Sequence, residues 1–240
     1  VLDIELTGYA TRFNMTPVVA DALEEAQAFV GSLVAHRLLH VSPLGQLFET
    51  ERDHSFLVTE RNNGAERLVM KGRHSIDFAR RFAGGMRLAT LRRTDRPDDR
   101  TEVRAEVVRL AKMLDKENGH RRHAGLVLGA KWLLDSYLGN DRILSYVQAT
   151  VALETLLGDK AESDVVGIGA LLANRCAYML ATSVVERREL LSSIKEIYRV
   201  RSKIVHEGQS RLAESQQYRL NQLRRICGRV IEHETKLIGP

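Results

Sequence analysis

From residue 101 to the C-terminus, apolar residues return every three or four positions, and polar stop signals interrupt them at short intervals. An apolar stripe at that period belongs to an amphipathic helix. Short breaks between such helices leave them as antiparallel neighbours. Residues 101–117 place Val103, Val107, Leu110, Ala111 and Leu114 on one side, and Asn118-Gly119 stops the run. Residues 121–138 form the next helix, ended by Gly139-Asn140. Asp141 then caps a helix to residue 157, with Ile143, Val147, Val151 and the cluster at 153–157 turned inward. Residues 158–164 read as a loop and 165–180 as a helix. Ser183-x-x-Glu186 has the form of a capping box. It opens a long helix that runs to about His206, where Glu207-Gly208 is a stop signal. A last helix covers about 211–237. This half is expected to be a bundle of four or five helices with short loops.

The first hundred residues are mixed. Residues 3–13 alternate weakly, as a strand would. Thr16-Pro17 reads as an N-cap with proline at the first helical position, and Val19, Leu23, Ala26, Val30, Leu33 and Val34 extend a helix over 17–39. Ser42-Pro43-Leu44-Gly45 is a break. Two apolar runs, 55–60 and 66–71, flank Asn62-Asn63-Gly64, the signature of a β-hairpin with glycine supplying the positive φ. Residues 74–82 read as a short helix ended by Gly84-Gly85, and 92–101 as a polar loop. The expected fold class is mainly α. A helical domain at 118–240 follows a smaller α+β segment at 1–117, which carries the hairpin and either recognises a trigger or packs on the dimer.

A hydrophobic fraction of 44% and a charged fraction of 28% exclude a chain that is disordered or collagen-like throughout. Cys176 and Cys227 stand far apart with no CxxC and no Cys/His pairing, which argues against a disulfide scaffold and a zinc finger and for a reducing, cytoplasmic setting. Apolar runs such as 124–130 end well short of a membrane span, and no signal-peptide pattern opens the chain. The net charge is +5, and residues 183–240 hold 12 Lys+Arg against 7 Asp+Glu, so the whole excess sits in the last quarter. Such a concentration suits a polyanionic partner; arginine-rich helix faces in solvent explain it equally.

One segment combines these signals: Tyr198-Arg199-Val200-Arg201-Ser202-Lys203-Ile204-Val205-His206-Glu207-Gly208. Arg201 and His206 are separated by four residues at the end of a long helix, with glycine following. This resembles the R-x4-6-H motif of the HEPN superfamily, and the string RSKIVHEG looks most like its ApeA-like branch. Upstream, Val151-Ala152-Leu153-Glu154-Thr155-Leu156-Leu157-Gly158 resembles that branch's ALEALLG-type helix, with Glu154 as the acidic residue. The aromatic helix around Lys131-Trp132-Leu133-Leu134 fits as well. The likeness covers about residues 118–236.

The resemblance implies a metal-independent endoribonuclease of the toxin or antiviral-defence kind, needing no cofactor, acting on RNA as a homodimer. The chemistry suits the residues. RNA carries its own nucleophile, the 2′-OH, beside the scissile phosphate. A histidine near neutrality can take that proton or protonate the 5′-oxygen, which is the part assigned to His206. A guanidinium can hold the charge that grows on the phosphoryl oxygens, the part of Arg201. Ser202 stands where the family usually has Asn, Asp or His, and supports His206 or the phosphate. Glu154 orients Arg201. Lys203, Arg199 and Arg211 are candidate phosphate contacts, and Arg224 and Arg225 extend the same basic track.

Positions i and i+5 lie about 140° apart around a helix and about 7.5 Å along it. Arg201 and His206 therefore share no face unless the helix end unwinds, Arg201 reaches along the groove, or two chains pair their motif helices around one cleft. Pairing is the architecture that the resemblance favours. Each residue also has a plain structural reading. His206 suits a helix C-terminus through the macrodipole, Arg201 suits a salt bridge to Glu154, and Tyr198 and Trp132 suit packing. His36 and His40 stand at i, i+4 but lack a zincin glutamate, and no metal is expected. The alternative functions are a non-catalytic dimerisation or nucleotide-binding module, or the partner of a nucleotidyltransferase.

Overall fold

The computed structural model describes residues 4–5, 7–11, 13–41, 55–62, 65–73, 86–88, 97–113, 123–139 and 141–237. Among them the chain is mainly helical. The elements are α1 (Pro17–Ala35), β1 (Leu39–Val41), β2 (Ser55–Asn62), β3 (Ala65–Arg73), β4 (Met86–Leu88), α2 (Pro97–Met113), α3 (His123–Leu138), α4 (Arg142–Leu157), α5 (Lys160–Val166), α6 (Ile168–Leu180), α7 (Val184–Glu207) and α8 (Glu214–Leu237). None of the described helices is long and apolar enough to cross a membrane.

Local signals account for most helix boundaries. Asp141 accepts hydrogen bonds from the N–H groups of Ile143 (2.8 Å) and Leu144 (3.3 Å), satisfying two of the donors that a helix start leaves open. The Ser183 hydroxyl accepts from Glu186 N at 3.1 Å, one half of a capping box. The other half is shifted by one residue: the Glu186 carboxylate takes the Thr182 N–H and hydroxyl, each at 2.9 Å. Those bonds, with Arg229, hold its carboxyl at about 2. Gly208 ends α7 in the left-handed region at φ 69°, where a side chain would clash and glycine does not.

Several expectations need correction. Helix α1 stops at Ala35 rather than 39 because Arg37, with φ 58°, turns left-handed. Leu38 N–H then closes back on Leu33 O at 2.9 Å, which seats the Leu38 side chain against Leu110 and Leu126. The described part of 3–13 forms no strand; Tyr9 and Phe13 are exposed there. Helix α2 starts inside the expected loop, since Pro97 at the first position followed by Asp98 and Asp99 is itself a helix start. Ala111 is exposed rather than inward. Residues 158–164 are not a loop: Asp159 caps α5 by accepting from Glu162 N at 3.1 Å, and Gly167 at φ 79° separates α5 from α6. The last helix begins at Glu214, not 211. The break at 42–45, the helix at 74–82 and the stop at 118–119 lie outside the described residues.

The paired strands of the expected hairpin are present, and its turn residues Asn63 and Gly64 lie outside the described residues. Strands β2 and β3 pair antiparallel from Ser55↔Arg73 to Asn62↔Ala65, with an irregularity at Val58/Thr59. β1 pairs with β4 as Leu39↔Leu88 and Val41↔Met86.

The main core lies among α3, α4, α6, α7 and α8. Tyr146, Leu153, Leu172, Ile194, Leu223 and Val230 are fully enclosed there. Tyr146 satisfies its hydroxyl by donating to Ile197 O at 3.0 Å, as a buried phenol must. Helix α1, from the 1–117 segment, joins this core through Ala35. It approaches α3 so closely that a Cβ on Gly31 would run into the Ala130 carbonyl, and its Ala35 faces Gly228 of α8. Both cysteines are buried thiols, and burial pushes Cys176 up to about 12.

Candidate functional site

Helix α7 presents its inner side through Leu190, Ile194, Ile197, Val200 and Ile204, all buried. That stripe fixes where every motif residue must point. At 100° per residue, Arg201 and Tyr198 fall at the margin of the buried stripe. Ser202, His206, Arg199 and Lys203 fall on the open side, and all four are exposed.

The margin carries an interhelical polar knot. Glu154, near the end of α4, is three-quarters buried and accepts a hydrogen bond from the Tyr198 hydroxyl at 3.1 Å. The same oxygen, Oε1, lies 3.7 Å from Arg201 Nε. The Arg201 side chain is 29% exposed, so its guanidinium is held on one side and open on the other. Burial, and then the adjoining Glu154 carboxylate, raise the Tyr198 hydroxyl above its ordinary value, so it stays a donor. The Tyr198 side chain stands over Gly169: a Cβ there would meet its Cβ and its first ring carbon, each at 3.3 Å. A glycine near the start of α6 thus makes room for the aromatic side chain.

The helix does not unwind at its end. α7 runs intact through Glu207, and the N–H groups of Gly208 and Gln209 both return to Lys203 O. Arg201 and His206 therefore keep the divergence of about 140° expected for i and i+5, one toward α4 and one toward solvent. Of the three routes to convergence that the sequence leaves open, unwinding is absent here.

The basic track separates into unlike members. Arg199 pairs with Glu196 at 2.6 Å on an exposed turn. Lys203 and Arg211 are exposed, the latter in the α7–α8 connection. Arg225 is exposed, but Arg224 is buried and takes no part in the outer basic track. Its guanidinium donates to the backbone carbonyl and hydroxyl of Ser136 and lies 4.4 Å from the centre of the Tyr137 ring. Its neighbour one residue on faces water because a helix turns 100° per residue; the apolar stripe of Leu220, Leu223, Cys227 and Ile231 sets position 224 inward and 225 outward.

The tyrosine's part in the knot was missing from the sequence reading, which took Tyr198 for packing. The signal was available: Tyr198 and Arg201 are i, i+3, so a carboxylate that reaches one reaches the other. Trp132 is part-buried against the core, as expected. His36 is engaged in structure: Nδ1 lies 2.7 Å from Glu106 Oε1 and Nε2 lies 3.0 Å from Thr235 Oγ1. Burial lowers its pKa despite the carboxylate. No group of three or more potential ligands for a metal occurs among the described residues. No protein-family model, curated protein or solved structure matches the chain.

Proposed function

We propose that the chain is a metal-independent endoribonuclease of the toxin or antiviral-defence type, working as a homodimer through the α7 tip, and that it belongs to the HEPN kind. The observation that carries this reading is the division of labour along one helix end. Arg201 is tethered by Glu154 beside Tyr198, while Ser202 and His206 stand open at a glycine-terminated tip. A tethered guanidinium gives a phosphate a fixed partner at small entropic cost. An exposed imidazole is free to meet a substrate.

Divergence within one protomer is the reason for a dimer. Two tips laid side by side put the partner's His206 beside Arg201, and supply two imidazoles to one phosphate. One imidazole takes the 2′-OH proton. The 2′-oxygen attacks phosphorus, and the bond from phosphorus to the 5′-oxygen breaks. The second imidazole, protonated, gives its proton to that leaving oxygen. The products are a 2′,3′-cyclic phosphate and a 5′-OH, with no metal in the balance. Ser202 lies one turn before His206 on the same face and serves as a further phosphate donor. Lys203, Arg199 and Arg211 steer the strand.

The test is incubation of the purified chain with RNA in excess EDTA, with end analysis of the fragments. Cyclic-phosphate ends are expected, and His206→Ala lowers the rate by roughly 10²–10⁴, the scale of one acid–base group. A variant that cuts as fast as the parent removes His206 from the mechanism. A chain that stays monomeric in light scattering removes the composite cleft. One observation favours a second reading, a non-catalytic dimerisation module: the Arg201–Glu154–Tyr198 knot suffices to dock α7 on α4 without any substrate. A folded dimer that leaves RNA intact would select it.

A further inference from the structure

Between α1, α3 and α8 lies a cavity of about 270 Å³. It belongs to a different part of α8 from the one that meets the α7 tip. Its described lining includes four arginines, Arg37, Arg224, Arg225 and Arg229, and no carboxylate. Leu133 and Tyr137 of α3 give it an apolar wall.

The four guanidinium groups are not equally engaged. Arg229 is committed, donating to Leu180 O at 2.7 Å and to Glu186 at 2.8 Å. Arg224 is 3% exposed and spends Nε and Nη2 on Ser136, while its Nη1 has no hydrogen bond among the described residues. Arg37 and Arg225 are exposed, and neither guanidinium makes a hydrogen bond or ion pair among the described residues. Glu232, a carboxylate that Arg37 acts on, is already bonded to Lys236 at 3.0 Å.

Like charges gathered against an apolar wall repel one another more strongly than they would in open water. The arrangement is relieved by an anion. Arginine forks match the oxygens of phosphate, and the buried Arg224 is held in place before any ligand arrives. The cavity is close to the small end of small-molecule pockets, about 300–1,000 Å³. That size admits one compact molecule rather than a polymer chain, and the Leu133–Tyr137 wall suits an organic ring.

We propose that this cavity binds a small organic phosphate of mononucleotide size, with Arg37, Arg224 and Arg225 on its phosphate and Leu133 and Tyr137 against its organic part. The site is separate from the α7 tip, and it stands whether or not the chain cuts RNA.

Calorimetric titration of the full chain tests it, with AMP, GMP, CMP and UMP as probes beside adenosine and inorganic phosphate. At least one mononucleotide binds in the micromolar range, and adenosine and inorganic phosphate bind at least about tenfold more weakly, each lacking one half of the contacts. Arg225→Ala and Arg37→Gly each weaken binding about tenfold, the scale of a charge-assisted contact. Glycine suits the left-handed turn at 37, so that variant keeps its fold. Arg199→Ala, at the tip, leaves affinity unchanged. The proposal fails if no mononucleotide binds at millimolar concentration to a chain with its normal unfolding transition. It also fails if both pocket variants bind as the parent does, or if Arg199→Ala weakens binding as much as they do. Inorganic phosphate binding as tightly as the best mononucleotide removes the organic half.

Discussion

Where α1 crosses α3, backbone meets backbone. Gly31 lies against Ala130, and no side chain separates the helices. Where α7 ends beside α4, side chains hold the helices together through one carboxylate shared by a phenol and a guanidinium. The first contact is dry and has no slack, since close-packed interiors do not absorb an extra methyl group. The second is polar and partly wet, and its parts can change without moving a backbone. The bundle is locked at one seam and leaves polar groups part-exposed at the other. A site built on the second is held by helices whose position is fixed elsewhere.

That contrast can be broken most forcefully at the seam. Gly31→Ala forces a Cβ into the Ala130 carbonyl, and is expected to cost about 3 kcal/mol, the upper range for overpacking. Urea unfolding measures it; a loss under half a kilocalorie per mole would mean that α1 is not locked to α3. At the tip, Glu154→Gln keeps an acceptor for Tyr198 but removes the charge facing Arg201. The expected stability loss is about 1 kcal/mol, with any RNA-cutting activity falling further than that loss explains. Activity tracking the folded fraction alone would reduce the knot to a strut.

A pH effect belongs to the edge of the seam. Burial holds the folded-state pKa of His36 below 6.5. The unfolded chain therefore takes up the proton first as pH falls, and the stability due to neutral His36 is present above pH 6.5 and lost below it. Glu106 and Glu232 have lowered values and act only below their ordinary range near 4.5. Unfolding at pH 8 and pH 5.5 should thus show a larger drop for the parent than for His36→Gln. An equal drop in both would place the pH dependence elsewhere. The smallest effect is expected for Ser202→Ala. This exposed site should change stability by less than about 0.5 kcal/mol, so a lowered cutting rate in that variant reports on substrate contact and not on folding.

The parts of this structure that were legible beforehand are those set within a few residues of each other. Asp141, Ser183 and Gly208 mark helix ends because caps act on N–H and C=O groups one to six positions away. The pairing of β2 with β3 follows from the two runs that flank Asn62-Asn63-Gly64. One helix start is local and still ambiguous: Asp159 and Glu162 make a cap within a stretch whose polarity suits a loop equally. At the tip, the spacing of Arg201 and His206 settled their divergence, because the helix stayed regular to Glu207.

Helix periods, caps, the hairpin and the order of polar groups along α7 were determined by the sequence itself, because each rests on interactions between near neighbours in the chain. Only tertiary structure decided that α1 enters the bundle through Gly31, that Arg224 docks on Ser136 of α3, and that Tyr198 shares a carboxylate with Arg201. Those outcomes depend on which helix faces meet, and on how closely backbones distant in the chain can approach. Such a choice is made by the whole core at once, and no short stretch of residues carries it.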